Sequence, residues 1–256
     1  MLSDWLRPTA PGEQTALFLL AHPDDEFFCL PLIEAEHRGG RSIQVVYLTD
    51  GGPLATTREA ESRRVLARSD RLQLVFAGRE HGWSDGRLFE HLAPARRWLE
   101  RFVAQCAPIA RVYVTAFEGG HHDHDCCFGL VASLARDGAL EGATCLQFPL
   151  YTGRGLPGAL FRCMSPIEEN GEILSHPLEH REALRSWRTA SAYPSQWRTW
   201  VALGPASLPA YLGRRTITLQ RVAPARALQP PHAGVPYYQR RFGVSQDEVL
   251  AALRGL

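Results

Sequence analysis

The stretch Thr15-Ala-Leu-Phe-Leu-Leu-Ala-His-Pro-Asp-Asp-Glu26 decides how this chain reads. Its first seven residues, Thr15–Ala21, form an apolar run of strand length with no polar alternation. That is the pattern of a strand buried on both faces, as in a parallel sheet. Helical spacing takes over at Glu26. Four further runs of the same kind follow, at Ile43–Leu48, Leu72–Phe76, Val112–Phe117 and Cys145–Leu150. Between the runs, Glu26–Arg38, Thr56–Ser69, Leu88–Gln105 and Asp125–Arg136 carry apolar residues three and four apart, with arginine and glutamate on the other face. Strand and helix alternating in this way predict a doubly wound α/β layer: a mostly parallel sheet with right-handed crossovers and helices on both faces.

Beyond Leu150 the pattern weakens. Gly153, Gly155, Pro157, Gly158 and Pro166 break the chain, Pro177–Tyr193 resumes a helical period, and Leu203–Pro236 holds six prolines around one strand-like run at Arg215–Val222. The expected organisation is one domain over residues 1–256, with a Rossmann-like core at 15–150 and a cap and C-terminal extension at 151–256 wrapping it. Gly153-Arg-Gly-Leu-Pro-Gly158 matches the spacing of a dinucleotide fingerprint, but Pro157 lies inside it and Pro166 stops the apolar run that follows. A working fingerprint opens a full helix, so this one reads as a turn.

Of 256 residues, 45% are hydrophobic and 21% charged, the balance of a globular chain rather than a disordered one. With 28 basic and 27 acidic residues the net charge is +1, which leaves no general field for nucleic acid or an anionic membrane. All 28 basic residues are arginine. The lack of lysine excludes Schiff-base, pyridoxal-phosphate and P-loop chemistry. The first fifteen residues, with Asp4, Arg7 and two prolines, show no secretory leader. The apolar stretches Ala16–Ala21 and Phe128–Ala135 fall far short of the roughly 20 residues that cross a bilayer, so a cytoplasmic protein without a membrane span is expected. Six scattered cysteines (Cys29, Cys106, Cys126, Cys127, Cys145, Cys163) without a CxxC pair read as reduced thiols.

Ligands of open α/β sheets collect at the carboxyl ends of strands, which is where His22-Pro-Asp-Asp-Glu26 falls. The favourable field at a helix start accounts for the acids but not for His22, and three crowded acids beside an imidazole repel one another unless a cation joins them. His22 and Asp25, three apart, can converge on one ion from a tight turn, while the adjacent Asp24 points elsewhere. A second cluster, Glu118-Gly-Gly-His-His-Asp-His-Asp125, follows the strand-like run Val112–Phe117. Two histidines and a carboxylate are the protein ligands of many hydrolytic zinc sites, which keep a position open for water; ferrous iron takes the same set. Zinc lowers the pKa of its water toward about 7, so amide or ester hydrolysis follows if a free carboxylate takes the proton. Asp24 is the candidate base. His121, as a protonated imidazole, is the candidate for stabilising the oxyanion and protonating the leaving amine.

The motifs AHPDDE (Ala21–Glu26) and GGHHDHD (Gly119–Asp125), with Thr49-Asp-Gly51 after the second strand, resemble those of the PIG-L/LmbE-like zinc-dependent de-N-acetylases, which remove acetyl groups from N-acetylglucosamine-containing compounds. The resemblance implies that His22, Asp25 and His124 bind zinc, that Asp24 is the general base and that His121 serves the oxyanion. It also implies that Asp123 orients a histidine and that Arg58 and Asp85 bind substrate. Arg58 with Glu61 is equally an ordinary helix-surface pair, and Ser84-Asp-Gly86 an ordinary turn. Tyr193-Pro-Ser-Gln196 resembles a short family segment near the site entrance. Two positions depart from the family pattern: His122 replaces a proline and adds a potential ligand, and Gly119 stands where some members carry a tyrosine near the oxyanion. The resemblance covers Thr15–Leu150 and that short segment, so substrate choice is expected to lie from Trp197 onward.

The expected activity is therefore zinc-dependent removal of an N-acetyl group from an amino sugar: an N-acetylglucosamine-type glycoconjugate, a glycolipid or an antibiotic intermediate. The partner is that substrate, not nucleic acid. The rival readings are a metal-dependent sugar-binding module without hydrolysis and a metallophosphoesterase, which needs two ions about 3.5–4 Å apart and more ligands than these clusters offer. A cysteine hydrolase built on Cys126 or Cys127 would place its thiol inside a predicted buried helix, where it is inert.

Overall fold

The computed structural model describes residues 14–67, 71–106 and 108–256. The stretch 1–13, read above for a leader, lies outside the described residues, as does Ser69. In chain order the first half forms β1 (Thr15–Leu20), α1 (Leu30–Arg38), β2 (Ser42–Tyr47), α2 (Ala55–Leu66), β3 (Leu72–Val75), α3 (Ala77–His81), α4 (Leu92–Gln105), β4 (Ile109–Thr115), α5 (His122–Arg136) and β5 (Thr144–Phe148). The five apolar runs are the five strands, and they pair in parallel.

β1 lies at the centre, with Thr15–Leu20 against Ser42–Tyr47 on one side and β4 on the other. Every residue of β1 is buried, and the pleat divides them. Ala16, Phe18 and Leu20 join Leu32 and Ile33 of α1 on one face, whereas Leu17 and Leu19 join Leu99 of α4 and Leu130 of α5 on the other. At about 1.5–3 kcal/mol for each large side chain removed from water, this two-sided burial fixes the strand and hence the position of whatever follows it.

The second half continues with β6 (Tyr151–Thr152), β7 (Arg162–Cys163), β8 (Leu174–Pro177), α6 (His180–Arg188), α7 (Trp197–Leu208), β9 (Thr216–Arg221), α8 (Tyr237–Phe242) and α9 (Gln246–Arg254). It does more than wrap the core. β9, the strand-like run expected at Arg215–Val222, pairs antiparallel with β5, and β8 pairs antiparallel with β9. Among the described residues the sheet thus has seven strands in the order β3-β2-β1-β4-β5-β9-β8. Leu203 of α7 packs on the α1 face and Leu250 and Leu253 of α9 on the α5 face. Gly153–Gly158 forms turns between β6 and β7, with Gly155 at φ 69° and Gly158 at φ 56°, and opens no helix. No described helix is long and apolar enough to cross a membrane.

Two helices begin later than their periodicity predicts. Asp25–Phe28 is a 3-10 turn, and α1 starts only at Leu30, with Pro31 in its first turn, where a missing N–H costs nothing. Leu88–Glu90 is likewise a 3-10 turn ahead of α4.

The sheet order reverses at β1, because the chain builds outward to β3 and then returns to lay β4 on the opposite side. The carboxyl ends of β1 and β4 therefore face one crevice, the position at which open α/β sheets bind ligands. The loop after β2 is pressed against this crevice by α3, where the Cα of Gly78 lies so close that a Cβ would stand 2.2 Å from the Thr49 carbonyl carbon. Gly78→Ala is expected to lower stability by about 3 kcal/mol, because the clash is with backbone that cannot rotate away. Urea denaturation of the two proteins checks this, and an unchanged midpoint would mean that the loop is not held there.

Candidate metal and catalytic site

Local hydrogen bonds lock the turn that follows β1. Asp25 Oδ2 accepts from the N–H groups of Ala21 (3.1 Å) and His22 (2.8 Å), and Thr49 Oγ1 donates to the Ala21 carbonyl at 2.8 Å. One carboxylate oxygen is thereby committed to the turn. The other, Asp25 Oδ1, faces His124 Nε2 at 3.2 Å, and His22 Nδ1 lies 3.5 Å from Asp25 Oδ2. Ligand atoms from His22, Asp25 and His124 all fall within 4.8 Å of one another, and all three residues are buried.

This donor set suits a small divalent cation, and its surroundings suit it further. His22 Nε2 is 3.0 Å from Asp123 Oδ2 while Nδ1 turns to Asp25; burial disfavours the charged ring, but Asp85, Asp123 and Asp25 outweigh burial and hold its pKa well above the usual value. A carboxylate holding the far nitrogen of an imidazole is how metal-binding histidines are oriented. Asp123 is itself fixed, with Oδ2 accepting from Gly86 N–H (2.7 Å) and Oδ1 from Leu88 N–H (3.0 Å). A second group, His22, Asp85, His121 and Asp123, meets the same distance limit. It is filled by donors, since Arg58 Nη1 sits 2.9 Å from Asp85 Oδ2 and backbone N–H groups occupy Asp123. A guanidinium beside Asp85 works against a cation there.

The three histidines that open α5 separate by direction. His121 caps the helix in extended conformation, its Nδ1 accepting the Asp123 N–H at 3.2 Å, which leaves the ring proton on Nε2. Burial, then the neighbouring His22, pushes its pKa well below the usual value, so His121 is a neutral donor rather than the protonated imidazole expected from sequence. His122 stacks on His121 with ring centroids 4.5 Å apart but directs Nε2 to the Gly86 carbonyl at 2.6 Å, away from the ion site. His124 alone of the three faces Asp25.

Asp24 points elsewhere than Asp25 because its backbone is forced. At φ 119° and ψ −17° it occupies a region that costs a non-glycine residue roughly 1–3 kcal/mol. The Glu26 side chain holds it there, accepting the Asp24 N–H at 2.8 Å. Burial pushes the Asp24 carboxyl up to about 7, with Arg58 pulling the other way and Asp25 reinforcing it. Asp25 goes in the opposite direction: burial disfavours its charge, but His124 and His22 outweigh burial and hold it well below the usual range.

Arg58 reaches under both loops from the first turn of α2. Its Nε and Nη2 donate to the Pro23 carbonyl (3.1 and 3.0 Å) and Nη1 to the Gly51 carbonyl (3.2 Å). It also grips Asp24 Oδ1 at 3.1 Å and Asp85 Oδ2 at 2.9 Å. Its donors are thus engaged within the protein, although the side chain borders the cavity. Glu61 does not pair with it; both Glu61 oxygens take Ser195, through N–H at 2.9 Å and Oγ at 2.6 Å. That bond ties Tyr193-Pro-Ser-Gln196 to α2 and brings Gln196 to the rim.

These groups surround a cavity of about 230 Å³. Its far wall was not legible as a motif: Tyr151, Trp200, Leu203 and Phe242 line it from the second half of the chain. Tyr151 lies 5.8 Å from the His124 ring and brings a phenol to the site despite Gly119. Its signal was its place just after the fifth strand run, another strand end. Phe242 approaches His121 to 4.9 Å. Cys126 and Cys127 are fully buried within α5, and burial raises both thiols well above their ordinary value.

Comparison with known proteins gives a similarity to one family and a shared fold. Residues 17–135 match PIG-L, described as GlcNAc-PI de-N-acetylase. No curated protein matches the chain. A solved deacetylase triple mutant from the teicoplanin biosynthetic pathway superposes with a TM-score of 0.60 at 14% identity, covering 82% of this chain and 98% of that one. A conserved protein from Thermus thermophilus gives 0.54 at 19% identity over 82% and 94% of the two chains. The N,N'-diacetylchitobiose deacetylase from Pyrococcus horikoshii gives 0.54 at 14% over 83% and 85%. At such identities the likeness is one of fold. The matched segment carries both strand-end clusters together with Arg58 and Asp85, and it is over residues 17–135 that this chain is similar to the PIG-L family.

Proposed function

We propose that this protein is a zinc-dependent N-deacetylase of an N-acetylated amino sugar. The observation that carries the reading is one cavity in which His22, Asp25 and His124 converge, with Asp24 as a carboxylate outside that set and His121 as a neutral Nε2–H donor. The family match and the deacetylases among similar folds support it. Zinc, or ferrous iron, held by His22, Asp25 and His124 would polarise the acetyl carbonyl and acidify a neighbouring water.

Asp24 takes a proton from water as the water oxygen bonds to the acetyl carbon. His121 donates its Nε2–H to the carbonyl oxygen as negative charge builds there. Asp24 then passes the proton to the sugar nitrogen as the C–N bond breaks, releasing acetate and a free amine. With His121 neutral, Asp24 is the proton carrier for both halves of the reaction. Asp123 orients His22, Arg58 positions Asp24, and Asp85 at the rim accepts from a sugar hydroxyl. A pure binding module has no use for a strained carboxylate aimed into the cavity. The second donor group, already occupied by Arg58 and backbone N–H groups, argues against a two-metal phosphoesterase.

Elemental analysis is expected to find one divalent ion per chain, with chelation abolishing acetate release from N-acetylglucosamine derivatives and zinc restoring it; two ions per chain would favour phosphoester chemistry instead. Asp24→Asn should retain the ion while turnover falls by about 10²–10⁴-fold, the usual range for a general base. Undiminished turnover in that variant removes Asp24 from the mechanism. Arg58→Met leaves Asp24 and Asp85 without their shared cation and is expected to cost about 3–5 kcal/mol in denaturant stability. A loss confined to KM, with stability intact, would instead make Arg58 a substrate contact.

A further inference from the structure

The catalytic cavity divides by chemistry and by exposure. Asp24, His121 and the three residues that could hold an ion form one side, and Phe28, Trp200 and Leu203 form an apolar wall beside them. Those three wall residues are 2%, 7% and 8% exposed, whereas Phe242, against His121, is 45% exposed, and Asp85 and Gln196 stand partly open. The rim is therefore at Phe242, Asp85 and Gln196, and the closed end is the wall. An acetamido group whose carbonyl carbon lies at Asp24 has its nitrogen, and with it the sugar, on one side of that carbon and its methyl on the other. A sugar that enters through the rim leaves the methyl directed at Phe28, Trp200 and Leu203.

Behind Trp200 lies a second hollow of about 560 Å³, more than twice the catalytic cavity at about 230 Å³. Trp187, Tyr193, Trp197, Val201 and Gly204 help to line it, and among the described residues Trp200 alone borders both spaces. The indole is firmly held. Its ring stacks on Tyr193 at 5.6 Å and on Phe28 at 6.1 Å, and the Phe27 ring meets it edge-on at 4.5 Å. Trp187 donates its indole N–H to the Gly204 carbonyl at 3.0 Å, which ties α6 to α7 across the hollow. At Gly204 an added Cβ meets no atom within 4 Å, so the hollow reaches the helix backbone. A side chain packed on three aromatic rings does not yield to a few extra methylenes without disturbing all of them.

Resting on the deacetylase reading, we infer that Trp200 sets the size of the acyl group: it is a partition that admits acetyl and stops longer chains, with open space directly behind it. In the intact protein a carbon beyond the acetyl methyl meets the indole face. With a smaller side chain at position 200 the same carbon passes into the hollow, where aromatic and aliphatic surface receives it. Acyl length is thus decided by one residue of the second half of the chain, apart from the groups assigned to proton transfer.

The test follows N-acetyl-, N-propionyl-, N-butyryl- and N-hexanoylglucosamine on the metal-loaded protein. Release of the free amine gives kcat/KM, and calorimetric titration gives binding whether or not the amide is cleaved. In the native protein both constants are expected to favour acetyl over butyryl by at least about tenfold, the effect of overfilling a packed site. Trp200→Leu, apolar but too short to close the wall, should reverse that order, with up to about a fourfold gain for each methylene that enters the hollow. Leu203→Ala enlarges the cavity without opening the hollow, so it should admit propionyl and still reject hexanoyl; hexanoyl accepted there would overturn the proposal even if the variant at position 200 fails to fold. Gly204→Phe fills the hollow from open space: alone it should leave the native order intact, and combined with Trp200→Leu it should cancel the gain. Native protein that treats acetyl and hexanoyl alike overturns the proposal, as does a folded Trp200→Leu that keeps the native order, or a gain that survives Gly204→Phe. Binding in the expected order without amine release would uphold the partition and reject deacetylation. Amine released equally from all four would do the reverse.

Discussion

Four carboxylates gathered around one small, buried cavity are the constraint on which this architecture turns. Asp24, Asp25 and Asp85 border it and Asp123 stands behind His22. Two like charges about 4 Å apart repel by roughly 4 kcal/mol at an effective dielectric of about 20, and a domain is stable by only about 5–15 kcal/mol in all. Several unrelieved pairs would therefore exceed the stability of the fold. Arg58 relieves two of the carboxylates at once, and His22 faces the other two. What remains is relieved either by a proton, which burial and then Asp25 favour by raising the Asp24 carboxyl to about 7, or by a bound dication. In the second case the proton is displaced, which leaves Asp24 free for the base role proposed for it. On the proposed reading, one ion would meet both the charge deficit and the catalytic requirement.

That arrangement requires adjacent aspartates to do opposite things, and the backbone supplies the difference. Asp25 begins a 3-10 turn and folds back onto the Ala21 and His22 N–H groups; Asp24 is held at positive φ by Glu26 and gripped by Arg58. The strain at Asp24 is tolerated because the strand before it is buried on both faces and the loops around it are bonded to one another through Arg58, Thr49 and Asp123. A stiff frame carries a strained residue without relaxing it away.

Much of this was readable from residue order. Apolar runs of strand length located β1 to β5, and the rule that ligands gather at strand ends directed attention to both histidine clusters. Where the reading stopped, the physical reason is definite. β8 was missed because Leu174-Ser-His-Pro177 is short, edge-bound and ends in proline, so no periodicity marks it. Arg58 reads as a helix-surface residue because its neighbour Glu61 sits at ion-pair spacing, yet its partners come from loops that sequence separation conceals. Which of His121, His122 and His124 faces Asp25 depends on helix phase at a capped terminus, and a Gly86 carbonyl far along the chain captures His122. Trp200 and Phe242 reach the cavity from segments with no motif at all, since a wall needs bulk and apolarity rather than a particular spacing.

The two halves of the chain accordingly divide the work. The groups to which the proposed reaction assigns proton transfer and the ion sit on the parallel core, where geometry is rigid; the far wall of the cavity comes from α7, α8 and β6. α7 shows how far the second half departs from local preference to do this. Gly204 and Pro205 lie in its interior, and relative to alanine such residues disfavour a helix by about 1 and about 3 kcal/mol. Pro205 leaves the Val201 carbonyl without its intrahelical donor, and Gly204 leaves the helix face without a side chain. Buried apolar contacts along the Trp200 and Leu203 stripe keep the helix in place regardless. A sequence that breaks the rules of its own helix at two successive residues, on the one face that borders an open hollow, keeps that face clear, and sites where local consistency is given up are where function is to be sought.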